Sequence, residues 1–189
     1  MTSIEFADAP ILETPRLKLR PWCDADLEPY IAMGQDLEVM KYFPALLSPE
    51  ETLDHVRDLQ DRFRRWGCSY WAIETSDFPF AGFAGLSQPK IDAHFTPCVE
   101  IGWRLARPAW GNGYASDAAA AALKFGFEEH GLAEIIAMIS VANEPSCRVA
   151  KRIGMSHDPA DDFEYPEEWA YKACVLYRIG REKFIGANV

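Results

Sequence analysis

The sequence predicts an α/β fold, a mixed sheet covered by helices, in a single domain over residues 1–189. Three observations carry this expectation. Strand-like and helix-like stretches follow one another in the order strand, helices, three strands, helix, strand, helix, strand. The run from Val99 to Gly113 reads as a strand ending in a tight glycine turn, and a helix starts at once. That helix holds five consecutive alanines, Ala118 to Ala122, so it is thin enough to lie close on a sheet.

Each element has its own warrant. Thr14 to Trp22 alternates Leu17 and Leu19 with basic residues and reads as the first strand. Asp24 is a good N-cap for a helix through about Gly34, and Leu37 to Phe43 reads as a second short helix. Ser48-Pro49-Glu50-Glu51 combines a cap, a proline at the first helical position and acids in the first turn. Leu53, Val56, Gln60, Phe63 and Trp66 then share one face, and Gly67 ends the helix. Tyr70 to Thr75 and Phe80 to Leu86 flank a turn at Ser76-Asp77-Phe78-Pro79 and read as a hairpin. Cys98 to Leu105 is the next strand, ended by Pro108, which cannot donate to a ladder.

Beyond the alanine-rich helix, Glu134 to Val141 is an apolar strand of the buried type. Asn143-Glu144-Pro145 opens a short helix through Ile153. Gly154 closes it, with Lys151 and Arg152 at its negative end. An acidic loop, Asp158 to Glu168, leads to a last strand at Tyr171 to Arg178 and a short basic tail.

Composition narrows the function. A net charge of −10 argues against a protein that grips nucleic-acid phosphates, and is compatible with cationic substrates. No apolar run approaches a membrane span, and the N-terminus lacks a basic-then-apolar signal, so no membrane partner is expected. The five cysteines are scattered and lack any CxxC pair, which fits reduced thiols and a cytoplasmic location. The four histidines show no H-x-x-x-H spacing, and no metal is expected.

The glycine turn carries the chemistry. Gly111 and Gly113 can take positive φ and leave the backbone bare. A helix N-terminus has spare N–H groups and a partial positive charge. Together they suit an anion, most simply a diphosphate. No Lys-Ser or Lys-Thr follows, as a P-loop requires, and Ser116 stands where a dinucleotide fingerprint needs its third glycine. A plain strand-to-helix turn is the alternative.

With Trp110-Gly111-Asn112-Gly113-Tyr114-Ala115, this strand–turn–helix resembles the acetyl-CoA loop of the GNAT superfamily of N-acetyltransferases. The stretch from Asn143 to Met155 resembles that superfamily's later motif, in the RimJ/RimL-like branch. The opening Thr14 to Arg20 and the ending Val175 to Arg178 also look like that branch, so the similarity covers nearly the whole chain. The resemblance implies a mostly antiparallel central sheet, splayed between Ile101–Leu105 and Ile135–Val141, with acetyl-CoA as cosubstrate in the gap. It implies that backbone N–H groups of Gly111, Asn112, Gly113, Tyr114 and Ala115 hold the pyrophosphate, with Ser116 beside them. It adds Trp103 and Leu105 on the splayed strand, and Asn143 and Arg148 at the later motif, to the cofactor-binding set. A strand edge satisfied by an amide-bearing ligand is β-augmentation, and an N–H at the splay would stabilise a developing oxyanion.

Two positions depart from the family pattern. Pro108 stands where a Gln or Arg is common, and Ala150 stands where many members have a tyrosine acid. Ser146, in the preceding turn, is then the candidate to protonate the leaving thiolate, unless it only caps its helix. Glu100 is the candidate base, since an amine attacks only when neutral, unless it merely pairs with Arg104 on the same strand face. Glu74 and His94 are reserve bases. The acidic loop could attract an amine or be a solvated surface. The six tryptophans could line an acceptor pocket or pack in the core.

The implied function is N-acetylation of a primary amine by direct attack in a ternary complex. The amine could belong to a protein N-terminus, an amino acid, a polyamine or an antibiotic. The alternative is a non-catalytic acyl-CoA-binding sensor or interaction module. A homodimer is expected only by analogy with relatives.

Overall fold

The computed structural model describes residues 4–165 and 171–187. The elements run β1 (Leu12–Glu13), β2 (Leu17–Arg20), α1 (Leu27–Gly34), α2 (Pro49–Trp66), β3 (Tyr70–Thr75), β4 (Gly82–Ser87) and β5 (Glu100–Leu105). They continue with α3 (Tyr114–Glu128), β6 (Glu134–Ser140), α4 (Glu144–Arg152), β7 (Ser156–His157), β8 (Phe163–Glu164), β9 (Ala173–Gly180) and α5 (Arg181–Ala187). One nine-stranded sheet has the order β1-β2-β3-β4-β5-β6-β9-β7, with β8 also on β9. Among the described residues every pairing is antiparallel except β5 with β6.

That parallel pairing positions the site. It consists of a single pair, Glu100 opposite Ile136, supported by the Ile136 N–H donating to Val99 O at 2.9 Å. Beyond it the strands diverge, which is the expected splay. Leu86, Ile101 and Ile135 on one face of the sheet pack against Ala118, Ala119, Ala122 and Leu123 of α3, all essentially without solvent exposure. The alanines have no bulk to hold the helix off. The other face, carrying Ala72 and Phe83, packs with Trp22, Tyr30, Val56 and Leu59 from the α1 and α2 side.

Local chemistry explains most boundaries. Ser48 Oγ accepts from the Glu51 N–H while the Glu51 carboxylate accepts from the Ser48 N–H, a reciprocal cap at the start of α2. Gly67 ends that helix at φ +71°. The start of α1 differs from the expected Asp24 cap. Residues 24–26 form a 3₁₀ turn, and the α-helix begins at Leu27. The buried Asp26 is the acid that matters there, accepting from the Cys23 N–H at 2.9 Å and from both terminal nitrogens of Arg20 at 2.8 Å.

Leu37 to Phe43 is not a helix but a series of turns. Asp36 Oδ1 accepts from the N–H groups of Glu38 and Val39, a side-chain alternative to the helical ladder. The two-residue strands β7, just ahead of the acidic loop, and β8, within it, are too short to show a period, and the basic tail forms α5. Among the described residues no helix is long and apolar enough to cross a membrane.

Candidate active site

A cleft of about 950 Å³ runs from the turns around Tyr42, across β5, to the starts of α3 and α4. At one end lies the glycine turn. Gly111 and Gly113 both have φ +79°, and a Cβ built on Gly111 would meet nothing within 4 Å. Gly113 caps α3 without a side-chain hydrogen bond. The N–H groups of Ser116 and Asp117 both turn to Gly113 O, at 3.0 and 3.2 Å. The N–H groups just ahead of them are those a helix start leaves for a ligand. Gly111, Gly113, Tyr114, Ala115 and Ser116 all line the cleft. This open cradle, with bare backbone at a helix start, fits a pyrophosphate.

The turn is braced from the N-terminal segment, by a residue the sequence did not single out. The Arg16 guanidinium donates to Asn112 O at 2.8 Å and to Asp117 Oδ2 at 2.7 Å, and its Cζ lies 5.6 Å from the Tyr114 ring centroid. Asn112 adds its own bonds to Ala109 O and Trp110 O. A separation of about a hundred residues hides such a contact from any local motif. Trp110 donates its indole N–H to Leu105 O at 2.8 Å, so that carbonyl already has a donor.

Glu100 sits where the strands part. Its carboxylate accepts from Ser87 Oγ at 3.4 Å and from the Met138 backbone N–H. Tyr70 Oη lies 3.2 Å from the same serine oxygen. Burial pushes the Glu100 carboxyl up to about 7, against the pull of those two donors. Burial, with Glu100 beside it, also holds the Tyr70 phenol well above its ordinary value. Pairing with Arg104, the structural alternative for Glu100, does not occur. Arg104 instead lies over the Phe43 ring, 3.7 Å from its centroid, with Phe83 5.4 Å away.

At the other side of the splay, Asn143 caps α4, its Oδ1 accepting from the Ser146 N–H at 3.2 Å. The cap is therefore Asn143, and the Ser146 hydroxyl is not needed for it. Asn143, Ser146 and Arg148 line the cleft, as do Trp103 and Leu105. Arg148 pairs loosely with Glu144 at 3.5 Å. Arg152, one turn on, also lines the cleft and reaches Ser116 Oγ at 3.5 Å. It thus places a second cation beside the start of α3. Its i, i+4 spacing from Arg148 was a readable signal.

The reserve candidates lie elsewhere. Glu74 is bound to Arg20 at 2.6 Å, near the end of β3 where it pairs with β2. His94 stands 3.5 Å from Asp161 and packs edge-on to Phe95. Neither lines the cleft. The described part of the acidic loop is engaged in its own contacts. Asp161 pairs with Arg178, Asp162 with His157, Glu164 with Lys172, and Asp158 with the Ala160 N–H. Glu167, Glu168 and Trp169 lie outside the described residues. Trp22 and Trp71 are core residues, donating to Tyr70 O and Pro10 O, whereas Trp103 and Trp110 face the cleft.

A splayed mixed sheet with a bare glycine turn at its mouth defines a class, that of CoA-dependent acyltransferases. The Acetyltransferase (GNAT) domain family matches residues 16–156, and the chain belongs to that family of acyltransferases. The uncharacterized protein YkkB of Bacillus subtilis (strain 168) is 35% identical over 150 residues, 77% of this chain and 85% of that protein. Among solved structures, a GNAT-family acetyltransferase from Bacillus anthracis superposes with a TM-score of 0.75 at 28% identity, covering 92% of this chain and 99% of that one. The ribosomal L7/L12 alpha-N-protein acetyltransferase RimL, in complex with coenzyme A, shares the fold at a TM-score of 0.73 and 18% identity, covering 90% and 98%.

Proposed function

We propose that this chain transfers an acetyl group from acetyl-CoA to a primary amine by direct attack within a ternary complex. One observation carries the reading: a single cleft joins an anion-suited helix start to a half-buried carboxylate poised near neutrality. The backbone N–H groups from Gly111 to Ala115, with Arg148 and Arg152 nearby, would hold the pyrophosphate. The edge of β5 freed by the splay would pair with the pantetheine amides.

Glu100 takes the proton that an ammonium must lose before its nitrogen can attack. Ser146 donates its hydroxyl proton, or a hydrogen bond, to the departing thiolate. Ala150 is fully buried and has no donor to offer, so Ser146 is the hydroxyl on α4 suited to the task. The free state of all five cysteines accords with a reducing, cytoplasmic setting.

Two measurements test this. Calorimetric titration of CoA should give a saturable heat that Gly113→Val abolishes, because valine cannot take φ +79° without strain. A thiol-release assay with acetyl-CoA and an amine panel should show amine-dependent turnover. Tight CoA binding with no turnover on any amine would favour a non-catalytic module.

A further inference from the structure

The acceptor end of the cleft holds an arginine that the proposed chemistry leaves unused. Arg104 follows Glu100 on the same face of β5, with Gly102 between them. At about 3.3 Å per residue the two Cα atoms are about 13 Å apart along the strand. Gly102 adds no side chain to that interval, and a Cβ there would stand 2.6 Å from Tyr70 Oη. Between the carboxylate and the guanidinium the Tyr70 phenol lies directly on the Gly102 backbone, in the place a side chain would take.

Arg104 has no carboxylate partner among the described residues. Its Nε is sealed from solvent and has no hydrogen-bond partner there. Its one side-chain acceptor among those residues is the weak sulfur of Met40, 3.4 Å from one terminal nitrogen. The ring of Phe43 covers it at 3.7 Å. Burial and aromatic cover strip water from the cation without supplying an anion, although arginines so placed are ordinarily paired.

Glu38 lines the same cleft without pairing with Arg104 among the described residues, and the side chains packed around the guanidinium add no charge of opposite sign. His55, hydrogen-bonded to Tyr30 Oη at 2.5 Å, is half-buried and neutral at pH 7. Tyr30 and Tyr70 are phenols held in their protonated forms. Arg104, His55, Tyr70 and Phe43 all line the cleft that contains Glu100.

We propose that Arg104 is the anchor for a carboxylate on the acceptor, so that the amine acetylated here belongs to an amino acid or a similar amine-bearing carboxylate. The guanidinium presents a planar fork that matches a carboxylate with two parallel hydrogen bonds. Such a ligand satisfies the half-buried cation and places its nitrogen toward Glu100. A polyamine has the opposite complementarity, since it would bring cations to a cation that already lacks a partner. This inference rests on the transferase reading above.

The test compares amino acids, from α-amino to ω-amino, each against its own carboxamide, with acetyl-CoA saturating and kcat/KM as readout. The wild-type protein should favour the carboxylate over the carboxamide by at least about tenfold for the best pair, the scale of a charge-assisted bidentate contact. Arg104→Gln should bring that ratio close to one. Should the glutamine variant fold poorly, Arg104→Lys, which keeps the charge and loses the fork, should still lower the ratio. Equal rates on acid and amide in the wild type, or a ratio untouched by both variants, overturn the inference while leaving the transferase intact. A protein that releases no thiol with any amine overturns both.

Discussion

Replacing Glu100 by glutamine separates a proton acceptor from a structural carboxylate. The carboxamide of the Glu100→Gln variant would keep an oxygen for the Met138 N–H and the Ser87 hydroxyl, but could not take a proton. In the wild type the carboxyl is raised from 4.5 to about 7. Below about pH 7 the protonated fraction grows, and on the proposed role the base is lost. Accordingly, kcat/KM should rise about tenfold per pH unit below that point and level off above it. This leg should stay in place when acceptors of different amine pKa are used, which distinguishes it from ionisation of the substrate. Glu100→Gln should lose the leg and about 10²–10⁴ in rate at about pH 8.

Stability gives an independent reading with its own sign. A carboxyl raised in the folded state ionises first in the unfolded chain. Its presence therefore destabilises the fold progressively as pH climbs from 4.5 to about 7, and by a constant amount above. The ceiling is about 3 kcal/mol. Urea unfolding should find Glu100→Gln more stable than wild type at about pH 8 and little changed at about pH 4.5. Unaltered rate and pH profile in the variant would refute the base role. Equal stability differences at both pH values would refute the burial that underlies it.

Three further outcomes follow from the same geometry. Ser146→Ala should lower kcat by about tenfold or more while shifting stability by less than about 0.5 kcal/mol, whereas Asn143→Ala, which removes the cap, should lose about 1 kcal/mol in thermal unfolding. Arg16→Ala should loosen the glycine turn and weaken CoA binding several-fold by calorimetry. The Arg16–Asp117 pair is half exposed, so the global stability loss should be no more than about 1 kcal/mol. Ala122→Leu should overfill the contact between α3 and the sheet and cost about 1–3 kcal/mol in urea unfolding.

What the sequence disclosed was whatever depends on near neighbours. The reciprocal cap at Ser48 and Glu51, the glycine turn into α3 and the Asn143 start of α4 each occupy a few consecutive residues, and all stand as expected. The alternation in β5 placed Glu100 and Arg104 on one face, as the structure has them. It could not tell whether they touch. That depended on Phe43, carried in by turns between α1 and α2 that a short apolar run disguised as a helix. Arg16 was equally hidden, because its partners Asn112 and Asp117 reach it only through the fold. Glu74 and the acidic loop looked available for chemistry because their cations, Arg20 and Arg178, come from other strands.

The lone ladder pair between β5 and β6 has a mechanical consequence. The two halves of the sheet lean apart like the covers of a book, and the residue at the spine is Glu100. Its acidity is partly set by the Met138 N–H on the opposite cover. Opening the covers withdraws that donor and makes the acid weaker; closing them restores it. Whatever wedges the book at a fixed angle therefore also holds that donor against Glu100, and shape and proton affinity become one adjustment rather than two.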